Sequence, residues 1–176
     1  MRALSVLLLS SALVALAAGK EPPSARAANG KVEIAATLYA GRESVREQLG
    51  SDLGGNFFVV KVALTPVGGQ PLAINRDDFL LRSYKNGQKC QPYAPSQIAG
   101  SGALALSAGG APVVTANPDD KVDPLLAVLK AKILPEKRTT EPASGLLYFS
   151  LEGKYKPKDL VLQYKSPAGA LSLAFR

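Results

Sequence analysis

The stretch Asn56–Pro66, NFFVVKVALTP, constrains this chain more than any other. Phe58, Val60, Val62 and Leu64 fall on one side of an extended backbone, and Phe57, Val59, Lys61 and Ala63 on the other. That period of two belongs to a β-strand and excludes a helix, whose apolar stripe would repeat every three to four residues. Pro66 to Pro71 (PVGGQP) then forms a turn.

The same alternation returns along the chain. Lys31–Tyr39 places Val32, Ile34, Ala36 and Leu38 on one face. Leu72-Ala73-Ile74 is a short strand, and Asp78–Tyr84 is a longer one. Asn86-Gly87 follows, a dipeptide suited to a two-residue hairpin turn with φ > 0 at both positions. The returning arm is Gln88–Tyr93, where Pro92 marks an edge or an end. Near the C-terminus, Gly145–Leu151 has Leu147, Phe149 and Leu151 opposite Leu146 and Tyr148. Asp159–Tyr164 sets Leu160, Leu162 and Tyr164 opposite Val161, and Ala170–Phe175 closes a hairpin with Leu171, Leu173 and Phe175 aligned. Between Gly41 and Gly55 the chain is polar, and Glu43–Leu49 reads as one or two helical turns or as a mobile loop. One helix is well specified: Asp123 as N-cap, Pro124 at the first position, Leu125, Leu126, Leu129 and Ile133 as a stripe, Lys130 and Lys132 at the end, Pro135 as the stop. Many short strands, turns between them and no βαβ rhythm predict an all-β antiparallel sandwich of about seven strands with one inserted helix.

The N-terminus predicts export. Arg2 precedes an apolar run from Ala3 to Ala18, broken only by Ser5, Ser10 and Ser11, and the run closes on Ala15-Leu16-Ala17. These are the three parts of a secretory signal over residues 1–19. A retained anchor would need about 20 apolar residues, more than are present. A second A-x-A, Ala25-Arg26-Ala27, lies further from the apolar segment. No cysteine follows the run, so no N-terminal lipid anchor is expected, and the destination is periplasmic or extracellular. Residues 20–30, rich in Pro, Ala and Gly, are expected to be a disordered leader, and 31–176 the folded domain with a flexible loop-helix insertion at 100–142. That mature chain, roughly 155 residues, can bury one core. The single cysteine, Cys90, cannot form an internal disulfide, so it is either buried and inert or an intermolecular pairing point.

The formal charge is +7, and +6 once Arg2 leaves with the signal. The cations are scattered, with Lys154, Lys156 and Lys158 the densest group, so a solvated face is the default and nucleic acid is not an expected partner. Tyr148, Tyr155 and Tyr164 lie among Lys154, Lys156, Lys158 and Lys165, the residue types of a polyanion- or glycan-binding face; tyrosines half in the core are the competing reading.

Enzyme chemistry is poorly supplied. There is no histidine, which removes the usual general base, the Ser-His and Cys-His arrangements and most transition-metal sites. Asp77 and Asp78, adjacent on a strand, would face opposite ways. Asn117, Asp119, Asp120 and Asp123 offer oxygen ligands but match no EF-hand spacing, and Asp123 serves the helix cap. Ser83-Tyr84-Lys85 and Tyr164-Lys165-Ser166 bring Ser and Lys close without the S-x-x-K spacing of a serine–lysine hydrolase. No cofactor is implied, and the chain is expected not to be an enzyme.

Two segments resemble the small secreted bacterial immunoglobulin-like domains. Asn56–Pro66 followed by Ile74–Tyr93 (INRDDFLLRSY…GQKCQPY) is similar to their F-x-V-x-V strand and D-F-x-L…G…Y hairpin. Ser144–Phe175 is similar to their closing strands. The resemblance implies an immunoglobulin-like sandwich and an exported location; the family is largely of unknown function and supplies no functional residues. The expected role is therefore a non-enzymatic binding or structural module of the envelope or medium, its partner an unidentified protein or envelope polymer. The candidate interaction residues are the stripe Leu125, Leu126, Leu129 and Ile133 and the lysines Lys154, Lys156 and Lys158. The basic Tyr/Lys face is the alternative reading, and a Ser/Lys hydrolase the remote one.

Overall fold

The computed structural model describes residues 21–55, 57–99 and 123–176, together with the backbone of 105–106 and 112–113. The signal segment 1–19 and the oxygen ligands Asn117, Asp119 and Asp120 lie outside the described residues. In chain order the elements are β1 (Ser24–Ala28), β2 (Val32–Ala40), α1 (Arg42–Leu49), β3 (Phe57–Pro66), β4 (Leu72–Ile74), β5 (Phe79–Ser83), β6 (Lys89–Cys90), α2 (Pro95–Ala99), β7 (Ala105–Leu106), β8 (Pro112–Val113), α3 (Pro124–Lys132), β9 (Lys137–Thr139), β10 (Ala143–Ser150), β11 (Leu160–Ser166) and β12 (Gly169–Ala174). Among the described residues, no helix is long and apolar enough to cross a membrane.

Two four-stranded antiparallel sheets, β1-β2-β3-β10 and β12-β11-β5-β6, face each other. The all-β sandwich is as the alternation predicts. Val32, Ile34 and Leu38, then Phe58, Val60, Val62 and Leu64, then Leu147 and Phe149 meet Phe79, Leu81, Leu160, Leu162, Tyr164 and Phe175 in one continuous interior. Fully burying each such side chain contributes about 1.5–3 kcal/mol relative to leaving it in water. In an immunoglobulin sheet the second strand lies beside the fifth. Here β2 lies beside its sequence neighbour β3, which separates it from β10.

Behind the first sheet lies a second apolar layer. Val59, Leu146 and Tyr148 point away from the sandwich interior and meet Val45 and Leu49 of α1 and Leu129 of α3, with Ile98 and Ala99 of α2 alongside. β10 is therefore apolar on both faces because both are covered, one by a sheet and one by helices. Glu43–Leu49 is helical, within the eight-residue α1.

Four expectations are corrected. Residues 20–30 are not a structureless leader, because Ser24–Ala28 pairs along β2 from Ser24↔Thr37 to Ala28↔Glu33. Small side chains carry almost no pattern, and this strand is held by backbone hydrogen bonds to the exposed edge of β2 and by packing of Ala25 and Ala27 on the interior. A cut after Ala27 would remove most of it. The insertion ends well before residue 142: Leu134 is fully buried, and β9 pairs with β4 through Leu72↔Thr139, Ala73↔Arg138 and Ile74↔Lys137. The turn after β5 spans four residues, with Ser83 N–H donating to Gln88 O at 2.9 Å and Gly87 N–H to Ser83 O at 3.0 Å. Only Gly87 there has positive φ, at 73°. Asp77 and Asp78 lie on a 3-10 turn, Arg76–Asp78, and not on a strand.

The free edge of β10 is closed by chain from the helical side. Tyr93 N–H donates to Tyr148 O at 2.7 Å, and Leu134 N–H to Leu146 O at 2.9 Å. The second contact requires Gly145, where any Cβ would overlap the backbone of Leu134. An edge satisfied in this way offers no template for pairing with another chain.

Candidate functional site

The loops that join β5 to β6 and β10 to β11 meet at one end of the sandwich, because β5 and β11 are antiparallel neighbours with Ser83 opposite Leu160. Ser83 is fully buried and serves the turn, its Oγ accepting from Lys85 N–H at 3.1 Å. Tyr84 N–H donates to Asp159 O at 2.8 Å. Tyr155 fastens the two loops: its ring meets Phe58 edge-on at 6.1 Å, and its hydroxyl accepts from Asn86 Nδ2 at 2.7 Å. The same hydroxyl lies 3.0 Å from Gln88 Oε1 and 2.7 Å from Glu152 O, acceptors for its one proton. Asp159 turns the chain by accepting from Lys156 N–H at 3.0 Å.

On this frame Lys85, Lys154, Lys156 and Lys158 are all exposed. Lys85 Nζ donates to Lys154 O at 3.4 Å, which holds the Lys85 ammonium against the other loop. Tyr84, next to Lys85 on the β5–β6 turn, is 61% exposed, more open than any other large apolar side chain among the described residues. The ion pairs found among those residues are Arg26–Glu33, Arg46–Asp52 and Arg76–Glu136, and none involves these lysines. Glu152 and Asp159 share the loop, yet the lysines outnumber them, and a cationic surface with an exposed ring can attract an anionic chain and stack or pack against it.

The tyrosines that the sequence places among the lysines are mostly elsewhere. Tyr148 is fully buried in the helical layer, its hydroxyl donating to Leu129 O at 3.1 Å, and burial pushes its phenol far above the ordinary range. Tyr164 is buried between the sheets at 5.0 Å from the Phe79 ring, also raised chiefly by burial, with Ser166 Oγ donating to its hydroxyl at 2.8 Å. Only Tyr155 joins the lysines, and mostly as a structural clamp. The aromatic group that does stand in solvent is Tyr84. A two-residue turn at Asn86-Gly87 would have kept it inside the ladder; the observed four-residue loop puts it outside.

The helical stripe is divided. Leu129 is completely buried, and Leu125 and Ile133 pack against the same cluster, so these three hold α3 to this protein's own sheet. Leu126 is half-buried and belongs to neither core. Asp123 accepts from Leu125 N–H at 2.8 Å as a helix cap. The Ser/Lys pairs are structural: Ser83 is buried in its turn, and Ser166 also accepts from Ala168 N–H at 3.0 Å. Cys90 is buried, its Sγ donating to Gln91 O at 3.0 Å, and desolvation raises the thiol pKa, which leaves little thiolate for exchange.

No protein-family model and no curated protein sequence matches this chain. Among the solved structures similar to it are three bacterial proteins. The secreted protein MPT63 of Mycobacterium tuberculosis is 11% identical, with 87% of this chain and 92% of that one covered and a TM-score of 0.43. The YjhA protein of Bacillus subtilis is 13% identical, covering 79% of this chain and 77% of its own, also at 0.43. A functionally unknown protein of Listeria monocytogenes EGD-e is 10% identical, covering 89% and 83%, at 0.42. At such identities and scores they assign neither family nor activity.

Proposed function

We propose that this protein is an exported, non-enzymatic binding module, a β-sandwich whose loop end engages an anionic polymer of the cell envelope or its surroundings. The observation that carries the reading is Tyr84, held in solvent on a turn fastened by Tyr155 to the loop bearing Lys154, Lys156 and Lys158. Export rests on the Met1–Gly19 pattern, and Edman sequencing of the protein from its native host tests it: a chain still beginning at Met1 refutes that part.

Binding is tested on a heparin column with a salt gradient. Replacing Lys154, Lys156 and Lys158 by alanine lowers the eluting salt concentration, and Tyr84→Ala lowers it further at unchanged charge. A control removes the exposed Lys61, Lys130 and Lys165, with the same net charge. If the two triple variants elute together, retention reflects bulk charge and the reading fails.

A further inference from the structure

At the end of the sandwich opposite the lysine loops lies a cleft of about 580 Å³. Its floor comes from the β4–β9 ribbon. Leu72 and Ile74 turn into the interior, which sends Ala73 outward beside its cross-strand partner Arg138. Lys31 and the turn at Val67 form one wall, and Pro167 and Ala168 of the β11–β12 turn form the other. The walls thus come from both sheets, and one side chain ties them together. Asn29 Oδ1 accepts from Lys31 N–H at 2.9 Å and from Val32 N–H at 3.0 Å, while its Nδ2 donates to Ala168 O at 3.1 Å. Val67 N–H donates to Lys31 O at 2.8 Å, which fixes the second turn to the first.

The lining is apolar apart from backbone, Gln70, Ser166, Lys31 and Arg138, and no acidic side chain lines it. Ser166 is already engaged with Tyr164. Neither Lys31 nor Arg138 takes part in an ion pair among the described residues. Val67, at 39% exposure, stands open at the rim. A preformed concavity of this size, apolar with a few convergent polar groups, suits a small molecule.

We infer that this cleft binds a small amphipathic anion, its apolar body against Val67, Ala73 and Pro167 and its carboxylate, sulfonate or phosphate between Lys31 and Arg138. Lys31 and Arg138 are exposed and hydrated, so a neutral ligand makes no use of them, and a compact inorganic anion leaves the apolar wall wet. Because guanidinium binds planar oxyanions through paired N–H groups, Arg138 supplies the orientation and Lys31 the second charge.

Two dyes that differ in one group test this. 1-Anilinonaphthalene-8-sulfonate and uncharged N-phenyl-1-naphthylamine share their rings, and fluorescence titration of the folded protein reads both. The expected result is saturable binding of one dye per chain, with the sulfonate tighter by about tenfold. The double variant Lys31→Ala/Arg138→Ala removes that preference and leaves the neutral dye unchanged. Ala73→Trp fills the floor and weakens both dyes, while circular dichroism stays that of the parent. Equal affinity for the two dyes, unsaturable binding, or a double variant that keeps the preference overturns the inference. So does loss of the preference when Lys154, Lys156 and Lys158 are replaced instead, which would place the dye at the other end. A concentration-dependent dimer abolished by Ala73→Trp would make a second copy the occupant and overturn it equally.

Discussion

The two faces of the first sheet are covered by different means. The inner face meets another sheet whose residues alternate as regularly as its own, and Phe58, Val60, Leu147 and Phe149 interlock with Phe79, Leu162 and Phe175. The outer face, with Val59, Leu146 and Tyr148, is covered by three short helices drawn from separate parts of the chain. Strand against strand gives a long, continuous dry layer. Helices on a sheet give a smaller one, fastened at points: Leu129 in the centre, the Tyr148 hydroxyl on Leu129 O, and Lys132 Nζ on the carbonyl of Gln48. The difference locates stability on one side and tolerance of change on the other. Low local contact and short elements are where partial opening begins.

Phe149→Ala should have the largest effect. It empties a fully buried site between the sheets and is expected to cost about 3–5 kcal/mol in urea denaturation followed by circular dichroism. The strands should melt as one unit. Leu129→Ala comes next, at about 2–5 kcal/mol, and here hydrogen exchange is the sharper measurement. Protection should fall first in α1 and α3 while β2 and β11 keep theirs. A uniform loss across both layers would show that the two cores are one cooperative body and dissolve the contrast. Leu126→Asp, by comparison, should leave the melting temperature nearly unchanged, since Leu126 belongs to neither cluster.

Tyr148→Phe probes the fastening alone. The Leu129 carbonyl still accepts from Ile133 N–H at 3.0 Å, so nothing is left unpaired, and the loss should be about 1 kcal/mol. A larger loss would mean that the hydroxyl, and not the apolar contact, holds the helical layer down.

A small, pH-dependent effect concerns the passage from α3 back to the sandwich. Glu136 accepts from Arg76 Nη2 at 2.5 Å, and this hydrogen bond holds its carboxyl below the ordinary value of 4.5. A folded-state pKa below the unfolded one means that the stabilisation is complete above the unfolded value. It is lost as pH falls through the folded one. Stability measured from pH 6 downward should therefore fall more steeply in the parent than in Glu136→Gln, starting just above 4.5. Because both partners are partly exposed, the difference should stay under about 1 kcal/mol.

Much of this fold is legible in the amino-acid order. The alternation in Asn56–Pro66, Gly145–Leu151 and Asp159–Tyr164 assigns each apolar residue to a face, and those assignments are the ones observed. Asp123, Pro124 and Pro135 mark where α3 begins and ends. The lysines of the candidate site are visible as a cluster. Tyr84 is not, because its exposure depends on how many residues the turn after β5 consumes. β1 escapes notice for a related reason: SARAA has no pattern of its own, and only the free edge of β2 makes it a strand.

What the sequence determined by itself was therefore the period: which side chains must leave water together, and the strands that period requires. The tertiary structure alone decided which surface each apolar face would meet. It alone placed Gly145 beneath Leu134, drew Asn29 across to Ala168, and buried Tyr148 while leaving Tyr84 in solvent. The physical reason is range. Alternation is set by backbone geometry between neighbouring residues, whereas burial depends on segments far apart in the chain arriving at the same place.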